Sequence, residues 1–488
     1  MNWGKTQMNE NRSIWSQSVE IPCRKPLEQD LCAEAAVIGA GLAGVLIAER
    51  LKRQGVHTVV LEAGRIGGGQ TKNTTAKITS QHDMIYDAMI QNFGDKRARG
   101  YAEANQRAID EYAAMIEGNQ IECDFHRAPA YLYSGVNDAP LRREAEAAAR
   151  LGIDAHFTTE TELPFGVAGA VRFDGQARFN PLKFLKSVSA NLEIYENTPV
   201  QRVEGDRIQT ARGTVRAKHI VFAVHYPFIN VPGWYFMRMH QERSYVLALQ
   251  NDWLPEGMYY GVDADGLSLR AGEGVLMLGG GGHRTGENSQ GGRYQALEDR
   301  ARELFPQGRA VARWSAQDCV TLDGVPYIGR FSDSTPNWYV ATGFAKWGMT
   351  TSMVAAMLIA GEIAGGTPDW ADVFSPARFQ LSASAKNLAT QTAQSFKGLA
   401  REIFKIPQKT LDALPVGHGG IVETNGRKAG VYKDETGKCH VVNPRCPHLG
   451  CEVEWNPDEK SWDCPCHGSR FDCDGALIDN PAQTGLGQ

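Results

Sequence analysis

The sequence of 488 residues contains no long apolar segment. Its most apolar stretch, residues 349–364, is broken by several polar side chains and falls short of the roughly 20 apolar residues that a membrane span requires. Residues 1–31 are polar and lack the apolar centre of a secretory signal. We therefore expect a cytoplasmic protein without a membrane span.

The sequence also lacks an excess of either charge. It has 51 lysine and arginine residues against 56 aspartate and glutamate residues, a formal net charge of −5. Nucleic-acid-binding proteins usually present a basic surface, so we exclude nucleic acid as a partner. A hydrophobic content of 42% and the chain length are typical of a globular protein with about three domains.

Cysteines are few outside one short region. Of the ten in the chain, six lie between Cys439 and Cys473. In a reducing compartment such clustering indicates a metal site more strongly than a disulfide framework.

A dinucleotide-binding motif lies near the start of the chain. An apolar strand at 35–38 leads into the glycines Gly39, Gly41 and Gly44 of a G-x-G-x-x-G motif, a helix follows, and a second strand ends at Glu62. In such a βαβ unit the glycines allow a tight turn, approach of the pyrophosphate and close helix packing, and the helix N-terminus binds the anion. A carboxylate at the end of the second strand accepts hydrogen bonds from a ribose.

Two further segments favour FAD over NAD. A second glycine-rich loop at 67–69 and a threonine pair at 74–75 suit a long cofactor that extends across the sheet. A strand-to-helix turn at 343–350 can place a helix N-terminus at the flavin, where it would stabilise the negative charge that grows on reduction.

These segments resemble the D-amino acid oxidase-like FAD oxidoreductases, the group that includes glycine and sarcosine oxidases. The resemblance covers about residues 33–370 and is carried by residues 37–71, 74–79, 323–329 and 343–350. It implies an α/β, Rossmann-like FAD-binding domain with an inserted β-rich substrate domain. The cofactor-binding residues that it implies are Arg65, Gln70 and Thr71 near the ribose and diphosphate, Val200 beside the adenine, and Gly343, Trp347, Gly348, Met349 and Thr350 at the isoalloxazine.

The domain layout follows from the same comparison and from the change in pattern after residue 407. We expect an N-terminal arm at 1–32, an oxidoreductase region at 33–372, a helical connector at 373–412 and an all-β domain at 413–488. Within the oxidoreductase region, we assign FAD-binding segments to about 33–82, 163–230 and 315–372. The substrate domain then takes about 83–162 and 231–314.

The C-terminal cysteines form a metal-binding motif together with two histidines. Cys446 and His448 form C-x-H, and Cys464 and His467 form C-x-x-H after fifteen intervening residues. Two cysteines and two histidines at this spacing can hold zinc or a Rieske [2Fe–2S] cluster. Four ligands are all that zinc needs, so zinc gives no reason for the further Cys451 and Cys466.

The two loops resemble the cluster loops of Rieske proteins from cytochrome bc complexes, over about residues 415–481. That resemblance implies a [2Fe–2S] cluster with Cys446 and Cys464 on one iron and His448 and His467 on the other. It also implies a disulfide between Cys451 and Cys466 and a hydrogen bond from the Ser469 hydroxyl to a bridging sulfide. In the cytosol the disulfide stays a hypothesis, because thiols are kept reduced there.

A flavin takes up two electrons and a Rieske cluster carries one, so the combination predicts flow from substrate to FAD, then to the cluster, then to an external one-electron acceptor. The flavin-domain resemblance implies oxidation of an amine or amino-acid-like small molecule at carbon–nitrogen. Two alternatives stay open: a reductase that runs electrons from a donor through the cluster to the flavin, and a non-catalytic electron-relay or redox-sensing protein. The partner on the cluster side is a protein or a quinone.

Catalytic residues are less well marked than cofactor residues. Arg270, on a predicted strand, could form a bidentate pair with a substrate carboxylate. Tyr245 and His283 could line the substrate pocket, and Lys346 could lie near the flavin and tune its reactivity. Each also has an ordinary structural interpretation.

Overall fold

The computed structural model describes residues 9–10, 12–378, 409–410, 413–424 and 426–487. Of the helical connector predicted at 373–412, residues 379–408 and 411–412 lie outside the described residues. Within them, no helix has both the length and the apolar composition that crossing a membrane takes.

The glycine-rich motif lies at the carboxyl end of a central strand of an eight-stranded sheet. Its parallel centre joins Leu31–Ile38 to Thr58–Leu61 on one side and to Thr214–Phe222 on the other. The remaining strands are Glu193–Tyr195, Val200–Glu204, Arg207–Thr210, Tyr327–Arg330 and Trp338–Thr342. Helices Leu42–Arg53 and Gly348–Ala364 pack against each other beside this sheet, so the two predicted cofactor turns converge.

A nine-stranded sheet forms the second large element. Its strands, in spatial order, are Asn9–Glu10, Arg309–Thr321, Met239–Gln250, Val275–Arg284, Ser268–Gly272, Met258–Gly261, Ala130–Ser134, Gly169–Phe173 and Ala155–Thr158. Helices Ala139–Arg150 and Arg293–Leu304 pack on this sheet, and Ile85–Gly118, interrupted at Gly94, packs on Ala139–Arg150 and on Gly348–Ala364. This sheet forms the inserted β-rich part. It also includes Asn9–Glu10, expected in the N-terminal arm, and residues 315–321, expected in an FAD-binding segment. Gly169–Phe173, expected in an FAD-binding segment, pairs here with Ala130–Ser134.

The C-terminal part contains two four-stranded sheets. The first holds Lys409–Thr410, His418–Thr424, Arg427–Lys433 and Cys439–Val442; the second holds Glu454–Asn456, Ser461–Asp463, Arg470–Phe471 and Leu477–Asp479. Except for the parallel pair of Lys409–Thr410 with His418–Thr424, their strands pair antiparallel. The predicted combination of an α/β domain, a β-rich insertion and an all-β C-terminal domain is confirmed.

Smaller elements connect these parts. They are helices Ile14–Ser18, Pro181–Ser189 and Ala371–Phe374, the 3₁₀ turns Gln70–Asn73 and Tyr235–Met237, and a sheet of Lys77–Ile78, Ala177–Arg178 and His126–Arg127. The described part of the N-terminal arm packs against the rest of the chain: Trp15 is 1% exposed, and its indole N–H donates to the Thr74 carbonyl oxygen at 2.8 Å.

Candidate functional site

Two glycines of the first motif, Gly39 and Gly44, are required by close backbone contacts. Gly39 has a φ of +103°, and a Cβ there would lie 2.7 Å from the Ala223 carbonyl oxygen. A Cβ on Gly44 would lie 1.9 Å from the Gly39 carbonyl oxygen. Gly39 and Gly41 line a large cavity, whereas Gly44 holds the helix against the turn. This cradle fits a dinucleotide pyrophosphate.

Glu62 and Thr71 stabilise the same turn. The Glu62 carboxylate accepts hydrogen bonds from the Ala40 and Gly64 amides at 2.7 and 2.8 Å, and the Thr71 hydroxyl accepts one from the Leu42 amide at 3.0 Å. Burial raises the pKa of Glu62, although the hydrogen bonds from the Ala40 and Gly64 amides oppose the rise. Both side chains line the cavity, as do Gln70 and Val200.

The second predicted turn forms the opposite wall. The cavity has a volume of about 760 Å³ and reaches Gly343, Lys346, Trp347, Gly348 and Met349. Gly343, Ala345 and Lys346 all have φ between +47° and +74°, a costly conformation for the two non-glycine residues. Thr350 lies behind the wall. Its hydroxyl accepts from the Thr79 amide and donates to the Thr79 carbonyl oxygen, both at 2.8 Å.

Two predicted site residues point away from the cavity. The Arg65 guanidinium donates to the Ile21 carbonyl oxygen at 2.7 Å and pairs with Glu196 at 3.1 Å. Arg270 is 2% exposed, donates to the Thr75 and Phe179 carbonyl oxygens and lies over the Trp15 ring. The predicted roles at the diphosphate and at a substrate carboxylate are therefore not supported, because backbone carbonyls already occupy both guanidinium groups.

Tyr245 and His283 do line the cavity and contact each other. The Tyr245 hydroxyl lies 3.0 Å from His283 Nε2, and the other imidazole nitrogen lies 2.7 Å from the Arg284 carbonyl oxygen. Burial lowers the pKa of His283, so the imidazole is neutral at pH 7. Tyr245 and His283 are both uncharged and can form hydrogen bonds with a ligand.

An acidic wall, which the sequence did not predict, lies next to Lys346. It consists of Asp83, Glu242 and Asp318, all of which line the cavity. Glu242 and Asp318 are directly opposite on neighbouring strands, and Lys346 Nζ lies 3.0 Å from Glu242. No local pattern marks these acids, since they come from three distant parts of the chain.

The groups of the acidic wall differ in their preference for charge. A hydrogen bond from His240 and the nearby Lys346 lower the pKa of Glu242 to about 2, against the effect of burial. Burial raises the pKa of Asp318 to about 6. For Lys346 burial opposes the charge, but Tyr260, Glu242 and Asp318 together raise its pKa. Burial raises the pKa of Asp83 as well. Above about pH 6 the ionised Glu242 and Asp318 outweigh the single charge of Lys346, so the wall has an excess of negative charge.

The four predicted metal ligands converge in the C-terminal domain. The thiols of Cys446 and Cys464 hydrogen-bond to each other, and the rings of His448 and His467 lie 4.9 Å apart. The Nδ1 atoms of both histidines are buried and have no hydrogen-bond partner among the described residues. Burial lowers the pKa of His448 to about 4 and that of His467 to about 3, so both imidazoles are neutral, as metal binding requires. This donor set fits a two-cysteine, two-histidine cluster.

The two ligand loops have the same backbone design. In each loop the first cysteine amide donates to the carbonyl oxygen five residues later, Cys446 to Cys451 at 2.9 Å and Cys464 to Ser469 at 2.8 Å. Gly450 and Gly468 turn the loops with φ of +83° and +81°. Cys451 and Cys466 are joined by a disulfide, which links one loop to the other. Ser469 is fully buried. Its hydroxyl forms a hydrogen bond with the Cys446 thiol and accepts another from the Ala482 amide.

The ligand histidines face the glycine-motif part of the chain. His448 Nε2 lies 2.9 Å from Asn230 Oδ1, and the outer nitrogen of His467 donates a hydrogen bond to the Phe236 carbonyl oxygen. Nearby, Arg243 and Glu459 form an ion pair across the interface, with side chains 2% and 5% exposed. The histidine edge of the cluster site is thus covered by the other domain.

The C-terminal domain also closes the large cavity. Leu477, Ile478, Asp479, Asn480, Ala482 and Gln483 line it together with the glycine motif. Gln70, from the predicted cofactor set, donates to Asp479 Oδ1 at 3.2 Å. The two predicted redox sites therefore share one wall.

Comparison with known proteins identifies the families of the two cofactor domains. A family model described as FAD dependent oxidoreductase (DAO) matches residues 34–362. The chain belongs to this family. A Rieske [2Fe-2S] domain model matches residues 408–488, so this FAD-dependent oxidoreductase uses both FAD and a [2Fe–2S] cluster.

Relatives of this oxidoreductase cover both parts. It is 37% identical over 487 residues to a putative Rieske 2Fe-2S iron-sulfur protein, YhfW, of Bacillus subtilis, with 96% of each chain covered. It is 23% identical to gamma-glutamylputrescine oxidoreductase of Escherichia coli, over 71% of this chain and 87% of that one. Among solved structures, glycine oxidase from Geobacillus kaustophilus superposes with a TM-score of 0.60 at 18% identity, covering 72% of this chain and 99% of that one. This last likeness concerns the fold alone.

Proposed function

We propose that the protein oxidises an amine or amino-acid-like small molecule at a carbon–nitrogen bond and passes the electrons singly through its Rieske cluster to an external acceptor. The observation that carries this proposal is the shared wall, in which residues of the Rieske domain line the same cavity as the FAD motif. FAD supplies two-electron oxidation when bound, and the cluster carries one electron at a time.

The charges of the cavity favour a substrate that carries a cationic amine. Lys77, Lys346 and Arg284 are its cationic side chains among the described residues, and each already has partners. Lys77 donates to the Tyr259 carbonyl oxygen and to Ser268, Lys346 pairs with Glu242, and Arg284 lies 3.4 Å from two carbonyl oxygens of a cluster loop. A substrate carboxylate has no unengaged cation to bind, whereas an ammonium group is attracted by the acidic wall.

Residues of the acidic wall also have a chemical task in this proposal. An amine is oxidised in its neutral form, so its ammonium proton must be released in the cavity. Asp318, whose pKa is raised to about 6 by burial, can accept that proton near neutral pH. Trp347, stacked on His82 at a ring distance of 5.0 Å, and Tyr260, edge-on to Trp347 at 5.3 Å, form the adjoining aromatic wall and exclude water.

The experiment is anaerobic mixing of purified holoenzyme with a panel of diamines, monoamines and amino acids, followed by visible and EPR spectra. The proposal expects loss of the flavin absorbance first and of the oxidised-cluster spectrum second, most readily with diamines. Flavin absorbance that no amine bleaches, while a reduced one-electron donor reduces the cluster and then the flavin, would instead establish the reductase direction.

A further inference from the structure

A pair of buried glutamine side chains connects the FAD cavity to the cluster loop. Gln241 and Gln317 lie on neighbouring strands and are 1% and 0% exposed. Gln317 Nε2 donates to Gln241 Oε1 at 2.6 Å and to the Gly468 carbonyl oxygen at 2.9 Å. Gln241 Nε2 donates in turn to the carbonyl oxygen of the cluster ligand His467 at 2.7 Å.

The other end of the pair reaches the cofactor side. Gln317 lines the cavity, and its backbone amide donates to Gln70 Oε1 at 2.9 Å. Gln241 donates a second bond, at 3.1 Å, to the carbonyl oxygen of Asn480, which also lines the cavity. A continuous set of hydrogen bonds therefore runs from the cavity wall to the backbone of a ligand histidine.

Gly468 of the cluster loop packs closely against the Gln241 side chain. A Cβ on Gly468 would lie 2.6 Å from Gln241 Cβ, and Gly468 has a φ of +81°. Glycine is therefore needed at this position both for the positive φ of the loop turn and for the close approach of Gln241. The glutamine amides are neutral, so they hold the loop without adding a charge beside either redox centre.

We propose that Gln241 and Gln317 are positioning residues for electron transfer between flavin and cluster. The proposal rests on the proposed function only in that electrons pass between these two groups, in either direction. With both groups bound, each step would move one electron from the reduced flavin to the oxidised cluster. A two-electron-reduced flavin would need two such steps, with loss of its N5 proton and with the external acceptor reoxidising the cluster between them. Electron transfer slows steeply as the distance between flavin and cluster increases. Loss of the hydrogen bonds from the glutamine side chains should therefore slow it even when FAD and the cluster remain bound.

The test compares the isosteric variants Gln241→Met and Gln317→Met with the wild-type holoenzyme. The flavin is reduced anaerobically by a light flash with a sacrificial donor, and cluster reduction is followed by absorbance and by EPR of frozen samples. We expect cluster reduction to slow by at least about tenfold in both variants, as is usual when supporting contacts are lost from a positioned site. Iron content and the EPR g-values of the reduced cluster should stay unchanged.

A matched control uses another buried interdomain amide. Asn288 donates to Asn456 and Asp458 at 3.0 and 2.8 Å and, within the described part of the chain, has no hydrogen bond to the cluster loops, so Asn288→Leu should retain the wild-type rate of cluster reduction. Gln241 does not line the cavity, so Gln241→Met decides the matter if Gln317→Met loses FAD. Wild-type rates in Gln241→Met, or an equal loss in Asn288→Leu, would overturn the positioning role. A wild-type cluster that stays oxidised after flavin photoreduction would refute the proposed function itself.

Discussion

The substitution Asp318→Asn should make the protein more stable above neutral pH and less active. The pKa of Asp318 is raised by burial from its usual 3.8 to about 6. The native state thus holds this proton more tightly than the unfolded chain does, and ionising the group costs about 3 kcal/mol of stability. That cost is absent below about pH 4, grows between pH 4 and 6 and is complete above.

Asparagine cannot ionise, so the stability gain of Asp318→Asn should depend on pH in the same way. We expect melting temperatures equal to wild type at pH 4 and several degrees higher at pH 8, measured by thermal unfolding of the holoenzyme. Asp263 provides the matched control. It also lines the cavity, but its carboxylate accepts hydrogen bonds from Ser134 and Gly135, both at 2.7 Å, so Asp263→Asn should give no such gain.

The activity of Asp318→Asn should change in the opposite direction. In the wild type, kcat/KM for a cationic amine should rise as pH increases through about 6, because the carboxylate that attracts the amine forms there. The kcat/KM of the variant should not show this rise with pH. At pH 8 it should be lower than that of the wild type by about tenfold or more, the usual effect of losing a hydrogen bond to a charged group. Equal pH profiles in both proteins, or a variant that is less stable at pH 8 than wild type, would refute the reasoning.

Three further predictions concern the cofactor sites. Gly44→Ala places a Cβ 1.9 Å from a carbonyl oxygen, so the purified variant should lose most of its FAD, whereas a wild-type ratio of flavin to protein absorbance would contradict this. Asn230→Ala removes the acceptor of the His448 N–H, which makes the imidazole a weaker donor to iron, and a redox titration should find a higher cluster potential, not an unchanged or lower one. Replacing Cys451 and Cys466 together by serine unlinks the two loops, and an iron chelator should then bleach the cluster several-fold faster than in wild type; equal rates would remove the disulfide from the account of cluster stability.

The sequence was most informative where the chemistry is contained in a short segment. The cluster ligands lie within 22 residues, and the loops around Cys446 and Cys464 each build their own turn through local hydrogen bonds. The first FAD turn is largely local, since Gly44 packs on the Gly39 carbonyl oxygen within one strand–turn–helix unit, although Gly39 also approaches Ala223 beyond the end of the neighbouring strand. Such sites are predictable because the residues that define them are also those that shape the backbone.

The cavity wall could not be predicted in the same way. Glu242 and Asp318 meet because two strands pair in a register that no local pattern specifies. The partners of Arg270 could not be predicted for the same reason. A buried arginine on a strand suits a substrate carboxylate, but the carbonyl oxygens of Thr75 and Phe179, both distant in sequence, bind it here.

The interface between the two redox domains combines both difficulties, since Gln241 and the His467 carbonyl oxygen are 226 residues apart. Its bonds are nevertheless more informative than an apolar contact would be. An apolar face can slide against its partner at little cost, whereas displacing the cluster loop would leave the amides of Gln241 and Gln317 buried without acceptors, at about 1–3 kcal/mol each. A polar interface of this kind therefore specifies one position of the loop. Because electron exchange depends steeply on separation, a single fixed position is what a flavin and a cluster in one chain require.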